Sequence, residues 1–116
     1  MDWVSVRDKL PPEGKSVLVY TGFYMDIAYR EDNQWYDLSA EEFHGITHWR
    51  NVPKDMKWTF IQDALPKAKK RVLVHTQYNG ILVAYYQGYW SWWSSCGPVD
   101  DVTHWAELPK PPKEVK

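Results

Sequence analysis

Val17-Leu18-Val19, with Thr21 two residues on, recurs 55 residues later as Val72-Leu73-Val74, again with Thr76 two residues on. Working outward, the same spacing relates Met1-Asp2-Trp3 to Met56-Lys57-Trp58, Val6 to Ile61, Asp8 to Asp63, and Leu10-Pro11 to Leu65-Pro66. One residue is inserted near Asn79-Gly80. Ile27-Ala28-Tyr29 then matches Val83-Ala84-Tyr85, and Thr47-His48-Trp49 matches Thr103-His104-Trp105, both at a spacing of 56. Trp35 aligns with Trp90 if a residue is dropped after Tyr86. Val52-Pro53-Lys54 and Leu108-Pro109-Lys110 close the two stretches. Ordered matches over the whole length read as an internal duplication, with boundaries at 1–55 and 56–116.

The repeated unit reads as strands. Residues 3–6 form a short strand that stops at the Pro and Gly of Leu10-Pro11-Pro12-Glu13-Gly14. Residues 16–21 are apolar and β-branched, which favours a central strand. A turn near Gly22 leads to a hairpin partner over 25–30, and the second copy carries the hairpin signal Asn79-Gly80 at that place. After an Asp32-Asn33 turn comes a strand over 34–37. Ser39 with Glu42 resembles a capping box and suggests one helical turn over 39–43. Thr-His-Trp is a short last strand, and the Pro-rich end from Pro109 reads as an extended tail. The expected fold is mainly β: two small antiparallel sheet or half-barrel lobes with little helix.

Composition narrows the function classes. The chain has 116 residues, so each copy is near the lower size limit for independent stability. Eight Trp and eight Tyr supply large apolar rings that help so small a unit to build a core. The net charge of −1 argues against double-stranded nucleic acid, which calls for a basic excess. The halves differ: 1–55 carries six basic and ten acidic side chains, and 56–116 carries eight basic and five acidic. Cys96 is the single cysteine, so no internal disulfide forms, which fits a reducing compartment. The charged residues among 1–20 do not suit a signal peptide, and no apolar run approaches a membrane span. The expected location is the bacterial cytoplasm, with no membrane partner.

The set Trp3-Val4-Ser5-Val6, Asp8, Leu10-Pro11, Glu13-Gly14, Val17-Leu18-Val19-Tyr20, Ile27-Ala28-Tyr29, Trp35, Thr47-His48-Trp49 and Pro53 resembles the DUF551 family. These are small proteins of unknown function found mostly in bacteriophages and prophages. The second copy resembles it more loosely, having Lys67-Ala68-Lys69 in place of the Pro-Glu-Gly turn. The resemblance implies a phage origin and an accessory role during infection. It carries over no catalytic residue.

Four features bear on a site. His48 and His104 occupy equivalent triplets, as metal ligands or acid–base groups on one reading. On the other, favoured reading, each ring packs on a Trp and bonds a backbone carbonyl; a metal needs three or four ligands. Asp8 and Asp63 read as turn-formers rather than a catalytic pair. Tyr86, Trp92 and Trp93 have no aromatic counterparts in the first copy, whereas Trp90 aligns with Trp35 and is expected in the core. Because a thin sheet buries one face well, Tyr86, Trp92 and Trp93 are expected to be partly exposed and to mark a recognition surface. The basic run Lys67, Lys69, Lys70, Arg71 is also confined to the second copy, and Lys70 and Arg71 near stacking rings would suit a phosphate.

No Ser/His/Asp elbow, phosphate loop or CxxC motif is present in the sequence. The reading is therefore a non-catalytic binding protein with no cofactor and no metal, plausibly a phage inhibitor of a host defence protein. The binding residues expected are Tyr86, Trp92, Trp93, Lys70, Arg71, His48 and His104. The alternative is a sponge for a small nucleotide-like signal. A homo-oligomer is compatible with either.

Overall fold

Strands account for the architecture, and the computed structural model describes residues 3–112. The chain divides into two compact units. One runs to Pro53 and takes in the chain again from Lys110; the other is Lys54–Pro109. With residues 113–116 of the expected Pro-rich tail outside the described residues, the described part of that tail, up to Pro112, thus groups with the first unit rather than the second. Its link is visible in the Trp3 indole N–H, which donates to the Lys110 carbonyl at 2.7 Å.

The first unit holds β1 (Val4–Ser5), β2 (Val17–Tyr20), β3 (Met25–Glu31), β4 (Gln34–Tyr36) and β5 (His48–Arg50), in the sheet order β1-β5-β2-β3-β4. The second holds β6 (Thr59–Phe60), β7 (Arg71–Thr76), β8 (Ile81–Gly88), β9 (Ser91–Ser94), β10 (Gly97–Val99) and β11 (Val102–Ala106), in the order β10-β9-β8-β7-β11-β6. Read from β6, this is the order of the first sheet with β10 added at the far edge. Every pairing is antiparallel. Both sheets are open, so neither lobe is a barrel, and no helix occurs among the described residues. No helix is therefore long and apolar enough to cross a membrane.

The helical turn expected over 39–43 is absent. The Asp37 carboxylate competes for the same backbone: Oδ1 accepts from Ser39 N at 2.8 Å and Glu41 N at 3.0 Å. That Asx-type turn satisfies the donors that a helix would have used. The Asn79-Gly80 hairpin forms as a longer loop, in which only Gly80 takes a positive φ of 73°. Buried Thr76 fastens it, donating from Oγ1 to the Gly80 carbonyl (2.6 Å) and accepting from Asn79 N (2.9 Å).

Val17, Leu18 and Val19 are all fully buried, as are Val72, Leu73 and Val74. Neighbouring residues on a strand point to opposite faces, so both faces of the central strands are covered. An unbroken apolar run is the sequence form of such a strand, and it corrects the expectation of one buried face. The core of the first unit joins Val17, Val19, Ala28, Trp35, Phe43 and Trp49; that of the second joins Val72, Val74, Leu82, Ala84, Trp92, Val99 and Val102. The Trp of each Thr-His-Trp triplet ties its sheet to the loop after the first strand. Trp49 Nε1 donates to the Lys9 carbonyl at 2.9 Å and Trp105 Nε1 to the Ala64 carbonyl at 3.0 Å.

Candidate functional site

Register decides which tryptophans are free. Trp35 pairs with Arg30, the residue after Tyr29; Trp92 pairs with Tyr86, the residue after Tyr85. The counterpart of Trp35 is therefore Trp92, not Trp90. The second hairpin has gained a residue rather than lost one, and the extra residue is absorbed as a bulge between Tyr86 and Gly88. Trp92 is consequently a core residue, 4% exposed, and Trp90 is 64% exposed. This reverses the expectation for both.

The other expected binding residues disperse. The Tyr86 ring packs 5.2 Å from Trp92, and its hydroxyl oxygen accepts from Trp90 N at 3.0 Å. Trp93 is half-buried between its strand partners Tyr85 and Pro98, with Nε1 donating to Ser91 Oγ. Lys70 pairs with Glu107 at 2.7 Å. Arg71 stands opposite Tyr85, four residues along β7 from His75, which is about 13 Å at ~3.3 Å per residue. The basic run and a free stacking ring are not brought together in the second unit. Asp8 and Asp63 both lie in turns, but through the backbone: Asp8 N donates to the Ser5 carbonyl and Asp63 N to the Phe60 carbonyl, each at 2.9 Å.

What the second unit does present is the tip of its β8–β9 hairpin. Tyr89 and Trp90 sit there at φ 54° and 60°, where the first unit has Asp32 and Asn33 at 51° and 66°. Both central residues at positive φ define a type I′ turn, which Asn, Asp and Gly fill at low cost and bulky residues do not. Tyr89 is 99% exposed, so this strained placement gains nothing from burial. Phe23 and Tyr78 are also exposed on the loops between the two central strands of their units, Phe23 beside the partly exposed Tyr24. Exposed rings on relaxed backbone are ordinary, whereas a pair of rings held at positive φ is not.

A second feature lies at the end of β7, where His75 pairs with Ile81 at the start of β8, about 26 Å along β8 from the tip at ~3.3 Å per residue. An open groove of ≈ 340 Å³ is lined by Trp58, His75, Thr103 and His104. His75 pairs with His104 across β7–β11, and His104 with Phe60 across β11–β6. The His75 ring meets Trp58 edge-on at 5.7 Å and His104 edge-on at 6.3 Å; Phe60 lies 5.2 Å from His104. Of these, only His104 was singled out from the sequence. The signal for His75 was present, since it stands where the first unit has Tyr20.

The histidines of the triplets bond a hydroxyl rather than a backbone carbonyl. His104 Nδ1 is 2.9 Å from Thr103 Oγ1, which is 3.1 Å from the His75 carbonyl; His48, Thr47 and the Tyr20 carbonyl repeat this at 2.9 and 3.2 Å. A carbonyl only accepts, so the threonine hydrogen goes to it, and Nδ1 must then donate to Oγ1. In the neutral ring this leaves Nε2 as an acceptor. Thr103→Val is expected to cost about 1 kcal/mol and to release this tautomer preference, which ring ¹⁵N chemical shifts report directly. Among the described residues no group of three or more His, Cys, Asp or Glu is placed to hold a metal ion.

Two open antiparallel sheets of shared strand order, an aromatic hairpin tip and a histidine-lined groove define a small all-β protein. The chain belongs to the DUF551 family, described as "Protein of unknown function (DUF551)", whose model matches residues 2–55 and 57–113. No curated protein and no solved structure matches the chain.

Proposed function

We propose that this is a non-catalytic accessory protein of phage origin, built of two tandem DUF551 copies, which docks onto and inhibits a host bacterial protein in the cytoplasm. The observation that carries the reading is the Tyr89–Trp90 tip. Two large rings are held in solvent at positive φ, in the copy that departs from the shared pattern. Backbone strain of about 1–3 kcal/mol per residue persists where function requires it. Tyr and Trp are also the residues that most often anchor protein interfaces. The bond from Trp90 N to the Tyr86 hydroxyl holds the tip in place before any partner arrives, which lowers the ordering cost of binding.

The sponge for a nucleotide-like signal draws less support. It needs cations beside stacking rings, and Lys70 is engaged by Glu107 while Arg71 lies well along β7 from the groove.

A photo-crosslinking amino acid at position 90, expressed in the bacterial host, tests the reading. It should yield one discrete covalent adduct with a host polypeptide. The same probe at Phe23, which is more exposed than Trp90, should not. Adducts of many proteins, or equal yields from both positions, would remove the basis for a specific partner.

A further inference from the structure

The two units differ most informatively around Trp3 and Trp58. In the first, Arg50 lies over the Trp3 ring, with Cζ 5.8 Å from its centroid. Tyr20 closes the neighbouring side, its ring 6.1 Å from Trp3. The strand register places the counterparts. Arg50 pairs with Leu18, and Ala106 pairs with Leu73; Tyr20 pairs with His48, and His75 pairs with His104. The second unit therefore has a methyl group where the first has a guanidinium, and an imidazole where the first has a phenol. Among the described residues no cation lies over Trp58, and its indole N–H meets no acceptor. The first unit satisfies the corresponding N–H with the Lys110 carbonyl.

We propose that the groove beside Trp58 is a binding site for a guanidinium group, presented by an arginine side chain of a peptide or by a free arginine-like molecule. Arg50 on Trp3 is the chain's own example of the contact. The indole face attracts a planar cation through its quadrupole. His104, held with Nδ1 toward Thr103 Oγ1, offers Nε2 of the neutral ring form as an acceptor for a guanidinium N–H. The open Trp58 N–H can take a peptide carbonyl, as Trp3 does. A volume of ≈ 340 Å³ admits a guanidinium and its methylene stem. Anions fit poorly, because no lysine or arginine lines the groove. A metal ion lacks a third ligand.

The site is independent of the hairpin tip, so the two proposals fail separately. The test is an NMR titration of the full chain, following the Trp58 indole N–H and the His75 and His104 rings. The probes are a Pro-Arg-Pro peptide, the same peptide with neutral citrulline, free arginine, inorganic phosphate and adenosine monophosphate. Saturable shifts with the arginine peptide are expected, weakened at least about tenfold by citrulline. If free arginine binds as tightly as the peptide, the source is a small molecule; if more weakly, a peptide. His104→Phe, which keeps an aromatic ring but removes the Nε2 acceptor, should weaken the shifts while leaving the fold intact. Trp58→Leu should abolish them. Equal binding of the citrulline peptide, shifts only with phosphate or the nucleotide, or no shift with any probe would each overturn the proposal. So would undiminished arginine binding by a folded His104→Phe variant.

Discussion

Trp92→Ala is expected to destabilise the protein by about 3–5 kcal/mol, the usual loss when a large ring leaves a packed core. Trp92 is 4% exposed and joins Val72, Val74, Leu82, Ala84, Val99 and Val102 in one cluster. Its removal leaves a cavity among β-branched side chains that cannot move to fill it. Folded domains typically have only about 5–15 kcal/mol of stability in total, so this variant should melt far below the parent. Trp90→Ala, two residues away, should stay within about 0.5 kcal/mol of the parent, as expected of a surface change without packing consequences. Urea denaturation of both variants checks the pair. Equal destabilisation would mean that the register placing Trp92 opposite Tyr86 is wrong. Loss of partner binding in Trp92→Ala would report unfolding rather than a contact.

The second large effect is a gain. Tyr89→Asn combined with Trp90→Gly puts the preferred type I′ pair at the β8–β9 turn. An L-residue in left-handed backbone costs about 1–2 kcal/mol. Relieving Trp90 with glycine and Tyr89 with asparagine should together stabilise the second unit by about 1–2 kcal/mol, or a rise of about 5 °C in melting temperature. The same change should remove the recognition element. A variant that is more stable and less functional separates a functional device from a structural one, because a structural pair would lose stability when deleted. Differential scanning calorimetry supplies the first half of that comparison. A lower melting temperature would show that the rings support the fold.

Much of the fold was legible because the chain states its pattern twice. Val17-Leu18-Val19 and Val72-Leu73-Val74 marked the central strands, and Asp32-Asn33 marked a turn whose φ values of 51° and 66° agree with that reading. The failures are local and physical. Ser39 and Glu42 have the spacing of a capping box, but the nearer Asp37 carboxylate takes the backbone donors first. Trp90 was matched to Trp35 because a type I′ turn made of Tyr and Trp breaks the usual turn chemistry. Nothing in residue preference suggests that Tyr89-Trp90 should stand for Asp32-Asn33. The bulge after Tyr86 adds a residue where the sequence match drops one, so the two alignments differ by two residues, Trp90 against Trp92. Residues two apart on a strand share a face; Trp90 is exposed because it stands in the turn, and Trp92 takes the buried place of Trp35.

The groove was half legible. His104 was visible in its triplet, but the importance of His75 and Ala106 lies in what they replace, Tyr20 and Arg50. The second unit differs from the first there by smaller side chains rather than by an added motif. Only the register across β7, β11 and β6 brings Trp58, His75 and His104 to one place.

We propose that the β8–β9 tip is what recognises a host protein. The most direct test measures the affinity of the polypeptide captured at position 90 for the parent and for the Tyr89→Asn/Trp90→Gly variant, with both confirmed folded by their melting curves. Loss of two central aromatic anchors predicts at least about a hundredfold weaker binding by a variant that melts no lower than the parent. Unchanged affinity in that folded variant would contradict the account.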